Sequence, residues 1–180
     1  AMFRALYQIY YTNLCGGLLT GSNSVVTEVA DLIHDDGAIK ESSEYFKTTG
    51  SPTFMLLSAL REATGFNYFT NAAVQNFGEF LMRFTTTVEP RFGGVKRKLQ
   101  ACGDGQYTFS ELVSLAPSCF YGVNSNLSSR LQQMWYKHGT NHQNFYAPGL
   151  LLVNETLPTT NVSLTSRNFP GYMGNLRTDY

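Results

Sequence analysis

Charge is what this chain has least of. Its 13 Lys and Arg balance its 13 Asp and Glu, and charged residues make up 14% of it, against about 25% in an ordinary globular domain. Without a basic surplus the chain cannot displace many counterions from phosphates, which excludes a nucleic-acid partner. The one basic run, Arg91 with Lys96-Arg97-Lys98, reads as a solvated loop. No apolar run approaches the ~20 residues of a membrane helix, so no membrane span is expected. Cysteines number three, Cys15, Cys102 and Cys119. An odd count cannot pair completely within one chain, and the spacings match no metal knuckle. Buried free thiols are the preferred reading, with a Cys102–Cys119 disulfide left open for an oxidising compartment. Histidines also number three, His34, His138 and His142. The last two have helical spacing, but Gly139 stands where a metalloprotease places its glutamate and no third ligand is evident. No metal or other cofactor is therefore expected. A Gly-rich phosphate loop and a Gly-x-Ser-x-Gly nucleophile elbow are both missing, and Gly103-Asp104-Gly105 matches a calcium loop at two positions only.

What is present is a 43% hydrophobic chain of 180 residues, long enough for a sizeable core. Its polarity comes from Asn, Thr, Ser and Gly, as on many extracellular proteins and sugar binders. Asn126-Leu-Ser128, Asn154-Glu-Thr156 and Asn161-Val-Ser163 are N-glycosylation triplets, which are permissive of that setting. The expected location is secreted, periplasmic or at the cell surface.

Helical spacing dominates the first three quarters of the chain. Phe3, Leu6, Tyr7, Tyr10 and Leu14 form one apolar stripe, and Val25, Val26, Val29, Leu32 and Ile33 a second, capped by Asn23 or Ser24. Asp35-Asp36-Gly37 reads as a turn. Ser51-Pro52 is expected to open a helix carrying Phe54, Leu57, Leu60 and Ala63, which Gly65 stops. Asn67 or Thr70 is expected to start the next, with Phe69, Ala73, Phe77, Phe80, Leu81 and Phe84 on its apolar face. After a break at 89–94, Thr108 and Glu111 suggest a capping box for a short helix closed by Pro117. Ser125 or Asn126 then begins a helix through Leu127, Leu131, Met134 and Trp135. Beyond Gly139 the texture changes to Asn, Thr, Ser and Pro. Phe169-Pro170-Gly171-Tyr172 reads as a turn, and residues 173–180 as a strand without visible partners, from which a truncated chain is expected.

Carboxylates gather at Asp35, Asp36, Glu41 and Glu44, next to Tyr45. A tyrosine among charged groups can trade a proton, although a lone tyrosine more often packs. The order Asp36-Gly37-Ala38, Glu41-Ser42-Ser43-Glu44-Tyr45 and a Leu-rich helix ending near Gly65 resembles a segment of the heparinase II/III-like and alginate-lyase-like polysaccharide lyases. Pro90-Arg91-Phe92-Gly93 and Gly103-Asp104-Gly105 are similar to loops of that family. Asn168-Phe169-Pro170-Gly171-Tyr172, with the Leu176-Arg177-Thr178 that follows, resembles the start of its C-terminal β-sandwich. Phe46 departs from the pattern, since relatives often carry His after the tyrosine, and the Glu41–Tyr45 spacing is tighter than usual.

The resemblance implies a mainly α fold, a partial α/α toroid of antiparallel helix pairs over 1–148. Residues 149–180 would be a linker and the first strands of a truncated β-sandwich. It implies β-elimination on a uronic-acid polysaccharide, with an acidic polysaccharide or oligosaccharide as partner. Tyr45 would be catalytic, as acid with the role of base also open to it, while Glu41 and Asp104 would bind substrate. The family's neutralising Asn and its other His fall at no matching position here, so the chain alone is expected to be inactive. Two rival readings stay open. One is a non-catalytic helical domain that binds carbohydrate or protein; the other is a shell protein with an Asn/Thr-rich arm. The lyase reading places Tyr45, Glu41 and the Gly103 loop on one concave edge, and the first rival turns Tyr45 into the core.

Overall fold

The computed structural model describes residues 33–39, 43–87, 98–100, 112–137, 151–170 and 173–175, with 43–49 and 173–175 as backbone alone. The protein is mainly helical. Among the described residues the order is α1 (Ser43–Thr64), a 3-10 turn (Tyr68–Thr70), α2 (Ala72–Phe84), α3 (Leu112–Phe120), α4 (Ser125–Lys137), β1 (Arg167–Phe169) and β2 (Met173–Asn175). No helix among them is long and apolar enough to cross a membrane.

Prolines do not bound the helices as their chemistry predicts. Pro52 lies inside α1, which starts at Ser43 rather than at Ser51, and Pro117 lies inside α3, which continues to Phe120. An interior proline costs about 3 kcal/mol through a lost hydrogen bond and a ring clash. In α3 that cost is outweighed by burial of Leu112, Val113, Leu115, Ala116, Cys119 and Phe120, since each large apolar side chain contributes roughly 1.5–3 kcal/mol. Phe54, Leu57 and Leu60 do the same for α1.

Other ends follow local rules. Gly65 stops α1 with φ +76°, and its N–H donates to the Arg61 carbonyl at 2.9 Å, a left-handed cap open to glycine at little cost. Asn67 caps only the 3-10 turn, whereas Asn71 starts α2, its side chain accepting from Ala73 N at 2.9 Å. Asn124 caps α4 by accepting from Leu127 N at 3.0 Å. Phe84 ends α2 as its spacing predicts.

A short four-residue connection folds α3 and α4 into a helical hairpin; α1 packs on α3 and α2 on α4. One core runs through all four helices. At its centre the Phe54 ring meets the edges or faces of Phe69, Phe77 and Phe120 at centroid distances of 5.4, 5.7 and 6.0 Å. These four rings come from α1, the 3-10 turn, α2 and α3, so Phe54 joins the elements. Phe54→Leu keeps apolar volume but loses the edge contacts, and we expect a loss of about 2 kcal/mol, read as a lower urea midpoint at unchanged slope.

The strand expected beyond Tyr172 has a partner after all. β2 pairs antiparallel with β1, Phe169 opposite Met173, and the Phe169-Pro170-Gly171-Tyr172 segment joins them. This removes the missing partner from which truncation was expected. Phe169 packs edge-on against Phe80 of α2 at 5.0 Å. Val162, Leu164 and Phe169, beyond the boundary expected at 148/149, belong to the same apolar cluster as the helices.

Candidate functional site

The Asp-Gly turn before Tyr45 is a built structure. Ile33 and Ile39 form an antiparallel bridge, so Ile33 ends in extended pairing rather than in the helix its spacing suggests. Between them His34 N donates to Ala38 O and Gly37 N to His34 O, each at 2.8 Å. The Asp36 carboxylate accepts from Ala38 N at 2.9 Å, and Gly37 takes φ +91°. This is a tight hydrogen-bonded turn followed by a positive-φ residue, which glycine fills without strain. The turn rests on α2: Asn76 Nδ2 donates to Asp35 O at 2.8 Å.

Tyr45 falls in the first turn of α1. The first turn of a helix has unpaired N–H groups and the positive end of the helix dipole, a setting that favours an anion. Glu41 and Asp104 lie outside the described residues, as do Cys15, Cys102, His138, His142, the Gly103 loop and the Thr108–Glu111 capping box.

The structure assembles a group that sequence reasoning missed. Arg130 makes a two-pronged pair with Glu79, through Nη1 to Oε1 and Nη2 to Oε2. Arg83 donates through Nη1 to the Thr165 carbonyl. Arg167 stands 5.0 Å over the Phe169 ring. Burial pushes the Arg83 guanidinium below its ordinary value; Glu79 opposes this, and Arg167 and Arg130 reinforce it. Arg83 thus stands in the field of Glu79 and of two further guanidiniums, those of Arg167 and Arg130. Such planar donors suit carboxylates and sulfates. Only Glu79 and Arg83, four apart on one helix, are near each other in sequence. No run or motif announces the rest, and the one basic run of the sequence, at Arg91 and Lys96–Lys98, is a different group.

Cys119 is a free, buried thiol, so the disulfide left open for it is not formed. Its sulfur lies 3.4 Å from Ser58 Oγ, and Arg61 Nη1 donates to its carbonyl at 3.0 Å. Burial pushes the thiol up from 9.0 to about 11, against smaller opposing effects of the Ser58 bond and Arg61. A protonated, enclosed thiol is neither nucleophile nor metal ligand at neutral pH. The unfolded chain ionises first as pH rises, so the stability that the neutral thiol contributes is fully present below pH 9.0 and is lost as pH climbs towards about 11. The expected result is a stability difference between wild type and Cys119→Ala that shifts by about 2–3 kcal/mol against wild type across that window. Iodoacetamide labelling at neutral pH should reach Cys119 only under denaturant.

Among the described residues no group of three His, Cys, Asp or Glu side chains could hold a metal ion. The chain matches no protein-family model, no curated protein and no solved structure.

Proposed function

We propose that this chain is part of a polysaccharide lyase of the heparinase II/III-like type, its helices forming a segment of an α/α toroid, and that it acts on a uronic-acid polysaccharide. The observation that carries the reading is a built Asp-Gly turn followed shortly in the chain by the start of the helix that carries Tyr45. A glycine turn clamped on α2 by Asn76 leads within a few residues into α1, where Tyr45 occupies the first turn. The order of motifs that resembles the family thus corresponds to a rigid turn followed by a helix start, a place that supports a proton-transferring phenol.

In this reading the uronate carboxylate is neutralised by a donor, a base removes the proton at C5, and an acid protonates the departing glycosidic oxygen. Tyr45 is the acid, and Glu41 and Asp104 contact the sugar. A secreted, periplasmic or cell-surface location accords with such a substrate. The test is incubation of the full protein that carries this chain with alginate, heparan sulfate, hyaluronan and polygalacturonate. Unsaturated ends absorbing in the ultraviolet are expected from at least one. If none of the four yields them while the protein binds one of these polymers, the lyase reading fails and a non-catalytic helical binding domain takes its place.

A further inference from the structure

The three Asn-x-Ser/Thr triplets are alike in sequence and unlike in structure. In Asn154-Glu155-Thr156 the Asn154 carboxamide oxygen accepts two hydrogen bonds from Thr156, from the backbone N–H at 2.9 Å and from the hydroxyl at 2.8 Å. All three residues are exposed. The segment is held from beneath by α4: Gln132 Nε2 donates to the Asn154 carbonyl at 3.1 Å, and the Tyr136 hydroxyl donates to the Glu155 carbonyl. Backbone carbonyls are thus anchored to the helix while the Asn154 and Thr156 side chains engage each other at the surface.

The other two triplets are committed elsewhere. Ser128 is buried, and its hydroxyl donates to the Pro117 carbonyl at 2.7 Å. Asn126-Leu127-Ser128 therefore lies along α4 with its hydroxyl used to join α4 to α3. Asn161 and Ser163 are exposed, but Val162 between them is part of the core. Among the described residues no hydrogen bond joins Asn161 to Ser163.

We propose that Asn154 is an acceptor for an N-linked glycan. An amide nitrogen is a poor nucleophile because its lone pair is delocalised into the carbonyl. A hydroxyl and an N–H both donating to Oδ1 draw electron density onto oxygen and make the Nδ2 protons easier to remove. The co-substrate is a lipid-linked oligosaccharide diphosphate. Asn154 Nδ2 forms a bond to C1 of the first sugar as the bond from C1 to the diphosphate oxygen breaks. The lipid diphosphate leaves with the electron pair, and one Nδ2 proton passes to a carboxylate of the transferase. Nothing is oxidised or reduced. The bonds from Thr156 to Asn154 span two residues, so they form in the nascent chain without the rest of the fold. A glycan at Asn154 displaces no buried side chain, and this inference stands apart from the lyase reading.

The experiment secretes the full chain behind a leader from eukaryotic cells, with a known glycoprotein as control. Peptide N-glycosidase in heavy-oxygen water then marks each glycosylated Asn as a labelled Asp, which peptide mass spectrometry locates. Label at Asn154 is expected, absent in Asn154→Gln. Thr156→Ala, which keeps the acceptor amide, should lower occupancy about tenfold, the worth of one polar hydrogen bond, and Thr156→Ser should lower it less. Unlabelled Asn154 beside a labelled control overturns the proposal. So does full occupancy in Thr156→Ala.

Discussion

Gly37→Ala is expected to destabilise the protein by about 3–5 kcal/mol, the sum of a left-handed backbone forced on a residue with a Cβ and of a steric clash. The clash is with backbone. A Cβ at position 37 would stand 2.2 Å from the carbonyl carbon and oxygen of Asn76 and 2.5 Å from Phe77 N. That peptide unit lies in the middle of α2, between the buried Val74 and Phe77, so it cannot give way without breaking helix hydrogen bonds. Relief must come from lifting the turn off α2, which also stretches the bond from Asn76 to Asp35 O. Gly65 supplies the control. It has φ +76°, and nothing lies within 4 Å of its Cβ position. Gly65→Ala should therefore cost only the conformational share, about 1–2 kcal/mol. Chemical denaturation of both variants separates the two contributions. Equal losses would mean that the turn does not rest on α2 as described.

Tyr45→Phe should leave the fold intact and lower kcat by about 10²–10⁴, the range for loss of a general acid or base. The substitution removes one hydroxyl and keeps the ring, so a stability change beyond ~0.5 kcal/mol is not expected if the hydroxyl serves the chemistry rather than the packing. The split between the kinetic constants carries the diagnosis. A hydroxyl that donates its proton only as the glycosidic bond breaks lowers kcat and kcat/KM together, whereas one that merely contacts sugar raises KM. The measurement is initial rate of unsaturated-end formation on the best uronan, with the urea midpoint as fold control. Wild-type turnover by the phenylalanine variant removes Tyr45 from the chemistry. A collapse of both turnover and midpoint assigns it to packing, as the non-catalytic reading holds.

Legibility was greatest where short-range chemistry decides. Gly65 after Thr64, the Asp-Gly turn, the α2 stripe ending at Phe84 and the start of α4 at Ser125 depend on hydrogen bonds and spacings within a few residues. Near misses were local too. Asn67, Asn71 and Thr70 all have capping side chains, and the choice of Asn71 for α2 turned on which backbone left helical space first. The proposed catalytic group was read only as order along the chain: Tyr45 falls on a helix start, and Glu41 and Asp104 lie outside the described residues.

By itself the amino-acid order determined a mainly helical protein without a membrane-crossing helix among its described residues, and it determined most of the places where backbone must turn. Those outcomes rest on periodicity and on caps, which act over one or two helical turns. Only the tertiary structure decided that Pro52 and Pro117 sit inside helices, because burial of distant rings sets the sign of that balance. It also decided that Arg130 of α4 reaches Glu79 of α2 and that Arg167 and Arg130 both act on Arg83. Charges that far apart in sequence meet only through packing, and no local preference encodes the meeting.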